Sequence, residues 1–310
     1  MPRESNPTLR VVRILDFLAS RPDESFGLSE MARILQMNKA TCLTILGGLV
    51  ETGYLLQDPE SKSYSLGPSS IALGHAAAAR LPALDPALGV MHDLRDELGL
   101  ECVAMVKAAN HLVLLGPQGP RGLLTPITGR PGFRAPFVPP MGATLMAFAP
   151  PSELEQWYAR ATPALTEAEM AHLWRVLSSV RARGFLATRR TIADTLLEDA
   201  IRGHEPDPYR RLYQLAAEAT RRVREAQEPY IVVDIDERES YPISTIVAPV
   251  FGARAVPEFS LVIEGFRWDI TGAEIRSIGA RVVAASTKLC RSLGGDPPPF
   301  RPHSDARSER

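Results

Sequence analysis

The chain has 310 residues, of which 45% are apolar and 23% charged, with a formal net charge of −1. That composition excludes a disordered, collagenous or membrane-embedded chain, and the length points to two domains at roughly 100 to 200 residues each. The near-zero charge holds even over the first eighty residues, so any nucleic-acid binding must come from the placement of a few cations and not from bulk attraction.

The first periodic segment carries Val11, Ile14, Leu15 and Leu18 on one side, a helical stripe, with Arg10 and Arg13 on its polar side. A second, Leu28 to Leu35, is apolar at 28, 31, 32 and 35. Gln36-Met37 then turn the chain, and Asn38 is placed to cap a third helix, apolar at Cys42, Ile45, Leu46 and Leu49. Gly53 stands where a helix end wants a left-handed residue. Tyr54 to Gln57 and Ser63 to Leu66 read as strands around Asp58-Pro59-Glu60-Ser61-Lys62. Three helices closed by a hairpin over residues 1–67 spell a winged helix-turn-helix. Its expected DNA-facing residues are Asn38, Lys39, Ala40, Thr41 and Thr44 at the start of the third helix, small or hydrogen-bonding, with Lys62 in the wing.

Ser69 to Arg80 predicts a Ser-capped linker helix within residues 68–84, ending before Leu81-Pro82. Asp85-Pro86 reads as N-cap and first residue of the next helix, with Val90, Leu94 and Leu98 on its apolar side. Cys102 to Lys107 and His111 to Leu115 form a hairpin pattern. Tyr230 to Ile235, Ser244 to Phe251 and Phe259 to Gly265 are further strand signals, and a closing helix spans about Thr271 to Leu293. Helices around one antiparallel sheet make residues 85–295 an α+β domain. Within it, 187–229 holds two helical segments, Asp194 to Ile201 and Tyr209 to Gln227. The second bears Arg210, Arg211, Arg221, Arg222 and Arg224 and reads as a solvated face, a lid or an oligomer contact. The tail 296–310, rich in Pro, Ser and Arg, is expected to be disordered.

The segments Met31 to Thr41, Leu49 to Tyr54 and Asp58 to Gly67 resemble the N-terminal domain of IclR-type transcriptional regulators. The resemblance is strong over residues 8–75 and looser over 85–186 and 230–295. It implies a DNA-binding domain, a linker helix and a GAF- or PAS-like effector-binding domain, in a homodimer or homotetramer on a double-stranded operator. Thr44 stands where members often carry arginine, and Asn38 where they often carry proline, so the operator sequence does not carry over.

The resemblance also points to effector walls. Phe137 to Thr144, with Pro140, Met141 and Gly142, aligns with the segment before the family's Gly-Lys-Ala helix, Ala143 replacing the lysine. Asp234 or Asp236, Ile243 and Thr245 align near further pocket positions. Val262 and Glu264 stand where relatives that bind small carboxylates tend to have serines, which favours a larger, more apolar effector.

Catalysis has little support. There is no Gly-x-Ser-x-Gly, phosphate-binding glycine loop or His-x-x-x-His, and a His111 and Asp236 acid/base pair is the sole enzymatic alternative. Cys42, Cys102 and Cys290 lack zinc or disulfide spacing and read as buried thiols, so neither metal nor cofactor is expected. The chain shows no signal peptide and no apolar run of the ~20 residues that span a bilayer, so a cytoplasmic protein without membrane contact is expected. The sequence thus points to an effector-controlled repressor; a dimerising architectural DNA binder with a degenerate effector domain is the alternative.

Overall fold

The computed structural model describes residues 7–300 except 22, 82, 116–133, 192–193, 195–213, 215–216, 219, 223, 225–229 and 253–255. It divides into two compact units, one built on Met1–Leu81 and the other on Pro82–Asp199 and Tyr213–Arg310.

In the first unit, α1 (Pro7–Ala19), α2 (Leu28–Ile34) and α3 (Lys39–Glu51) are followed by β1 (Leu55–Gln57), β2 (Tyr64–Leu66) and α4 (Pro68–Ala78). The three helical stripes converge. Ile14, Phe17, Leu18, Met31, Leu35, Cys42 and Leu46 form one core, closed by Leu55 and Tyr64 from the hairpin. Each fully buried leucine here contributes roughly 1.5–3 kcal/mol. Phe26 exchanges two backbone hydrogen bonds with Tyr64, at 3.1 and 2.9 Å, and so bridges the outer edge of β2 and ties the hairpin to the segment between α1 and α2.

Asn38 caps α3: its Oδ1 accepts from the Ala40 amide at 2.9 Å. The linker helix is capped differently from the sequence expectation. Gly67 is its N-cap without a side-chain bond, and Pro68 opens the helix. Ser69 and Ser70 lie inside the first turn and donate to the carbonyls of Thr52 and Tyr54, so their hydroxyls tie the helix to the start of the wing instead of capping it.

The second unit begins with α5 (Leu84–Leu98), capped by Ala83. Asp85 and Pro86 are therefore its second and third residues and not N-cap and first. A proline is still tolerated there, because the first-turn amides have no intrahelical partner. β3 (Glu101–Ala108), β4 (His111–Leu115), β5 (Arg134–Pro136), α6 (Ala143–Met146), α7 (Pro151–Tyr158), α8 (Glu167–Arg183), β6 (Leu186–Arg189), β7 (Ser240–Tyr241), β8 (Ile243–Phe251), β9 (Pro257–Glu264), β10 (Ile270–Thr271) and α9 (Gly272–Ser292) follow. Six strands make one antiparallel sheet in the order β5-β4-β3-β9-β8-β6.

Tyr230 to Ile235 does not join this sheet as a strand. Only Ile231 bridges to Thr188, and the stretch is held by Arg183, which donates to the carbonyls of Val232 and Val233 at 2.7 and 2.8 Å. Paired α5 and α9, linked by Arg281 and Glu97 at 3.2 Å, pack on β3 and β8; α6 and α8 lie against β9, β8 and β6. Both α8 and α9 open with reciprocal capping boxes, Thr166 with Glu169 and Thr271 with Glu274.

The start of the tail is packed and not free: Phe300 stacks against Phe148 and Phe251 at 6.2 and 6.1 Å. Residues 301–310 lie outside the described residues, as does most of 187–229, including Arg210 and Arg211. Cys42, Cys102 and Cys290 are all buried free thiols. Among the described residues there is no cluster of metal-ligating side chains, and no helix is long and apolar enough to cross a membrane.

Candidate functional site

The first unit offers one coherent outward surface, at the N-terminal end of α3. Cys42 and Leu46 turn inward and are fully buried, which forces Lys39, Ala40, Leu43 and Thr44 outward, where all four are exposed. Thr41 is half-buried. Lys39 is the sole cation in α3. The wing turn is built by Asp58, whose Oδ1 accepts from the amides of Glu60 and Ser61 and from the Ser61 hydroxyl, at 3.1, 2.7 and 2.8 Å. Those bonds hold its carboxyl below the usual carboxylate range. Lys62 sits in the same turn in a left-handed conformation, φ 57°, with its side chain exposed. A helix N-terminus led by lysine and a wing carrying a second lysine are suited to phosphates and groove edges of a duplex.

Two of the expected contacts are already engaged with their own helix. Oδ1 of Asn38 serves the cap, and the Thr44 hydroxyl donates to the Ala40 carbonyl at 3.0 Å.

In the second unit the strand register decides which side chains share a face. Glu101 pairs with Glu264, Val103 with Val262 and Met105 with Ser260. Val247 pairs with Val262 and Leu186, and Thr188 with Thr245. Alternation therefore brings Glu264, Val262, Ser260, Thr245 and Thr188 to one side. Thr144 of α6 meets that side by a buried hydrogen bond to Ser260, 3.0 Å, and Thr188 meets Thr245 at 2.7 Å. Tyr230 directs its hydroxyl toward Met141 Sδ at 3.9 Å, and burial pushes its phenol well above the ordinary range. Burial, reinforced by the neighbouring buried Glu264 and Glu101, drives the Cys102 thiol far up.

The α6 loop is closed on itself. Met141 and Ala143 donate their amides to the carbonyls of Val138 and Pro140, at 2.7 and 3.3 Å. Gly142 holds φ 84°, where a Cβ would lie 2.4 Å from the Phe137 ring. A carboxylate would find few free amides here.

Residues 8–59 match the model of the IclR helix-turn-helix domain. Residues 8–59 are an IclR helix-turn-helix domain. No curated protein matches the chain in sequence. Similar solved structures include an IclR transcriptional regulator from Alicyclobacillus acidocaldarius, at 19% identity and TM-score 0.59, covering 93% of this chain and 98% of that one. The Thermotoga maritima IclR is similar at 17% identity and TM-score 0.55, with 93% and 98% covered. An IclR homolog from Microbacterium hydrocarbonoxydans, complexed with 4-hydroxybenzoate, is similar at 15% identity and TM-score 0.55, with 93% and 100% covered. The chain thus shares the fold of these IclR regulators.

Seen on this IclR fold, the sequence-derived residues separate into those that cluster and those that do not. Asn38, Lys39, Ala40 and Thr44 share the exposed start of α3, while Thr245, Val262 and Glu264 share a sheet face. Ile243 is fully buried at the start of β8. Asp234 and Asp236 are exposed on the loop before β7, and Asp236 Oδ1 accepts from the Arg238 amide to build a turn. Neither aspartate belongs to the hydroxyl cluster. Thr188, Ser260 and Tyr230 were missed because only register and a non-sheet excursion bring them to it. Leu43, exposed beside Ala40, was missed because a leucine reads as core; its i+3 spacing from Ala40 was the available signal.

Proposed function

We propose that this protein is a one-component transcriptional repressor that binds a double-stranded operator as a homodimer or homotetramer and is controlled by a relatively apolar small molecule. The observation that carries the reading is the exposed N-terminal turn of α3, led by Lys39, inside an IclR helix-turn-helix domain whose opposite side is the buried core. The linker helix α4 buries no side chain and leaves Ile71 and Leu73 exposed, which supports pairing of two copies along it. Repression follows most simply, since an operator-bound oligomer excludes polymerase without a further contact. The cytoplasm is the compartment in which such a regulator meets its operator.

The effector side of the reading rests on the Thr245, Val262 and Glu264 face. Apolar neighbours Met105, Val103 and Val247 suit a ring or chain, the hydroxyls of Thr188, Thr245 and Tyr230 offer hydrogen bonds, and Glu101 with Glu264 disfavours a compact anion. The neighbour complexed with 4-hydroxybenzoate supports an aromatic class. An effector biases the geometry between two DNA-binding domains, a coupling of two distinct sites.

Fluorescence anisotropy of the full chain with DNA flanking its own gene, against scrambled competitor at several salt concentrations, tests the reading. Specific binding about 10³-fold or more above competitor, relieved by an aromatic catabolite, is expected. Binding no better than competitor rejects the regulator. Tight calorimetric binding of glyoxylate or pyruvate rejects the apolar effector.

A further inference from the structure

We infer that α3 reads thymine C5-methyl groups, with Leu43 as its principal specificity-determining residue; the inference rests on the DNA-binding reading above. Ala40, Leu43, Thr44 and Gly47 follow the i, i+3, i+4, i+7 spacing, and all four are exposed on one side of the helix. The polar capacity of this side is unusually low. The Thr44 hydroxyl proton is committed to the Ala40 carbonyl at 3.0 Å, which leaves its methyl as the group with no internal role. Asn38 Oδ1 is committed to the Ala40 amide at 2.9 Å. Lys39 is the single charged side chain of α3 before Glu51.

Leu43 is 51% exposed, although every other leucine of α3 is buried or half-buried. Among the described residues of the first unit, none packs over this leucine, which is turned outward in the middle of the helix. Past it, Cβ atoms at Gly47 and Gly48 would meet nothing within 4 Å, so the backbone there can come close to another surface.

In the major groove the thymine methyl is the one apolar group on a base edge, and apolar side chains are its matching contact. Arginine for guanine and glutamine for adenine are absent from α3. Lys39 sets phosphate distance or reads one guanine, and the Ala40, Leu43 and Thr44 methyls lie against thymines that follow it in the half-site.

The test begins by selecting operators for the full-length protein from a random duplex pool. Each thymine of the selected site is then replaced singly by 2′-deoxyuridine, which removes the C5-methyl and keeps every hydrogen-bonding edge. At least one position per half-site is expected to weaken binding about fourfold, equivalent to ~0.8 kcal/mol for a buried CH₂-sized group. Leu43→Ala should make such a position insensitive to uridine, Leu43→Met should restore the sensitivity, and Lys39→Ala should leave the uridine pattern as it is. Specific binding that is indifferent to every uridine substitution overturns the methyl readout while the DNA-binding reading stands. A uridine pattern unchanged in Leu43→Ala overturns the role of Leu43. Failure to enrich any sequence overturns the DNA-binding reading and the inference together.

Discussion

Arg224 Nε lies 2.9 Å from Glu169 Oε1, and the same carboxylate closes the capping box at the start of α8. Arg224 also donates to the Pro163 carbonyl at 2.9 Å. One arginine of a segment that reads as a solvated face is thus an anchor onto a neighbouring helix, whereas Arg221 and Arg222 pair with Glu218 of their own segment. The Arg224 hydrogen bond, aided by Thr166, holds the Glu169 carboxyl at about 2, below its ordinary 4.5. A carboxylate depressed on folding contributes stability that is full above pH ~4.5 and disappears as pH falls toward ~2. Glu169→Gln should therefore lower Tm at neutral pH, with the gap to the wild type closing across that window. Thermal scans from pH 6 downward check it; a gap that persists at the acid end would contradict the assignment.

Arg183 donates to three backbone carbonyls, Phe185, Val232 and Val233, at 2.9, 2.7 and 2.8 Å. Burial, with Arg276 nearby, pushes it down to about 10, still charged at neutral pH. Arg183→Met would leave these carbonyls without their donor, at a cost of roughly 1 kcal/mol or more each. A fall of roughly 6–12 °C in the transition of the second unit is expected, at ~2–4 °C per kcal/mol for a domain of this size. Differential scanning calorimetry reads it, and Arg183→Lys should recover only part, since one ammonium cannot reproduce the guanidinium fork.

Gly67 sits where the wing returns to α4, and a Cβ there would lie 2.3 Å from the Gly53 carbonyl oxygen. Its amide donates to the Tyr54 carbonyl at 2.7 Å, so the backbone has little room to retreat. Gly67→Ala is expected to destabilise the first unit by about 1–3 kcal/mol, an overpacking cost, and to weaken DNA binding by misplacing the wing. The transition of the second unit should not move. Loss of both transitions together would mean the effect is not local.

Lys39→Ala should weaken binding to specific and scrambled DNA alike and reduce the slope of log K against log salt by about 1 if Lys39 contacts phosphate. A loss confined to the selected operator, with an unchanged slope, would instead assign Lys39 to a guanine edge. Affinity and slope both unchanged would remove it from the interface.

The winged helix-turn-helix was legible in the linear sequence because its signals are local. Helical stripes at 3.6-residue spacing, the Asn38 cap and the Asp58 to Lys62 turn depend on neighbours within a few residues, and all of them form. The same holds for the hairpin of β3 and β4 and for the closing helix α9. Whether a given polar group faces outward or bonds inward was not legible. Thr44 offers a hydroxyl in sequence and turns it onto its own helix, because an i−4 carbonyl is always within its reach.

Tyr230 to Ile235 carries the β-branched run of a strand yet pairs with the outer edge of β6 only at Ile231; beyond that bridge the Val232 and Val233 carbonyls accept from Arg183 and not from a neighbouring strand. Residues far apart in sequence, Thr144 with Ser260 and Thr188 with Thr245, meet only through register and helix docking. Local periodicity by itself determined the helices and hairpin of the first unit, and in the second the β3–β4 hairpin, β8, β9 and the closing helix. Tertiary packing alone decided which hydroxyls, carboxylates and exposed apolar groups share a surface, because a strand's period of two assigns a side but pairing chooses its neighbours.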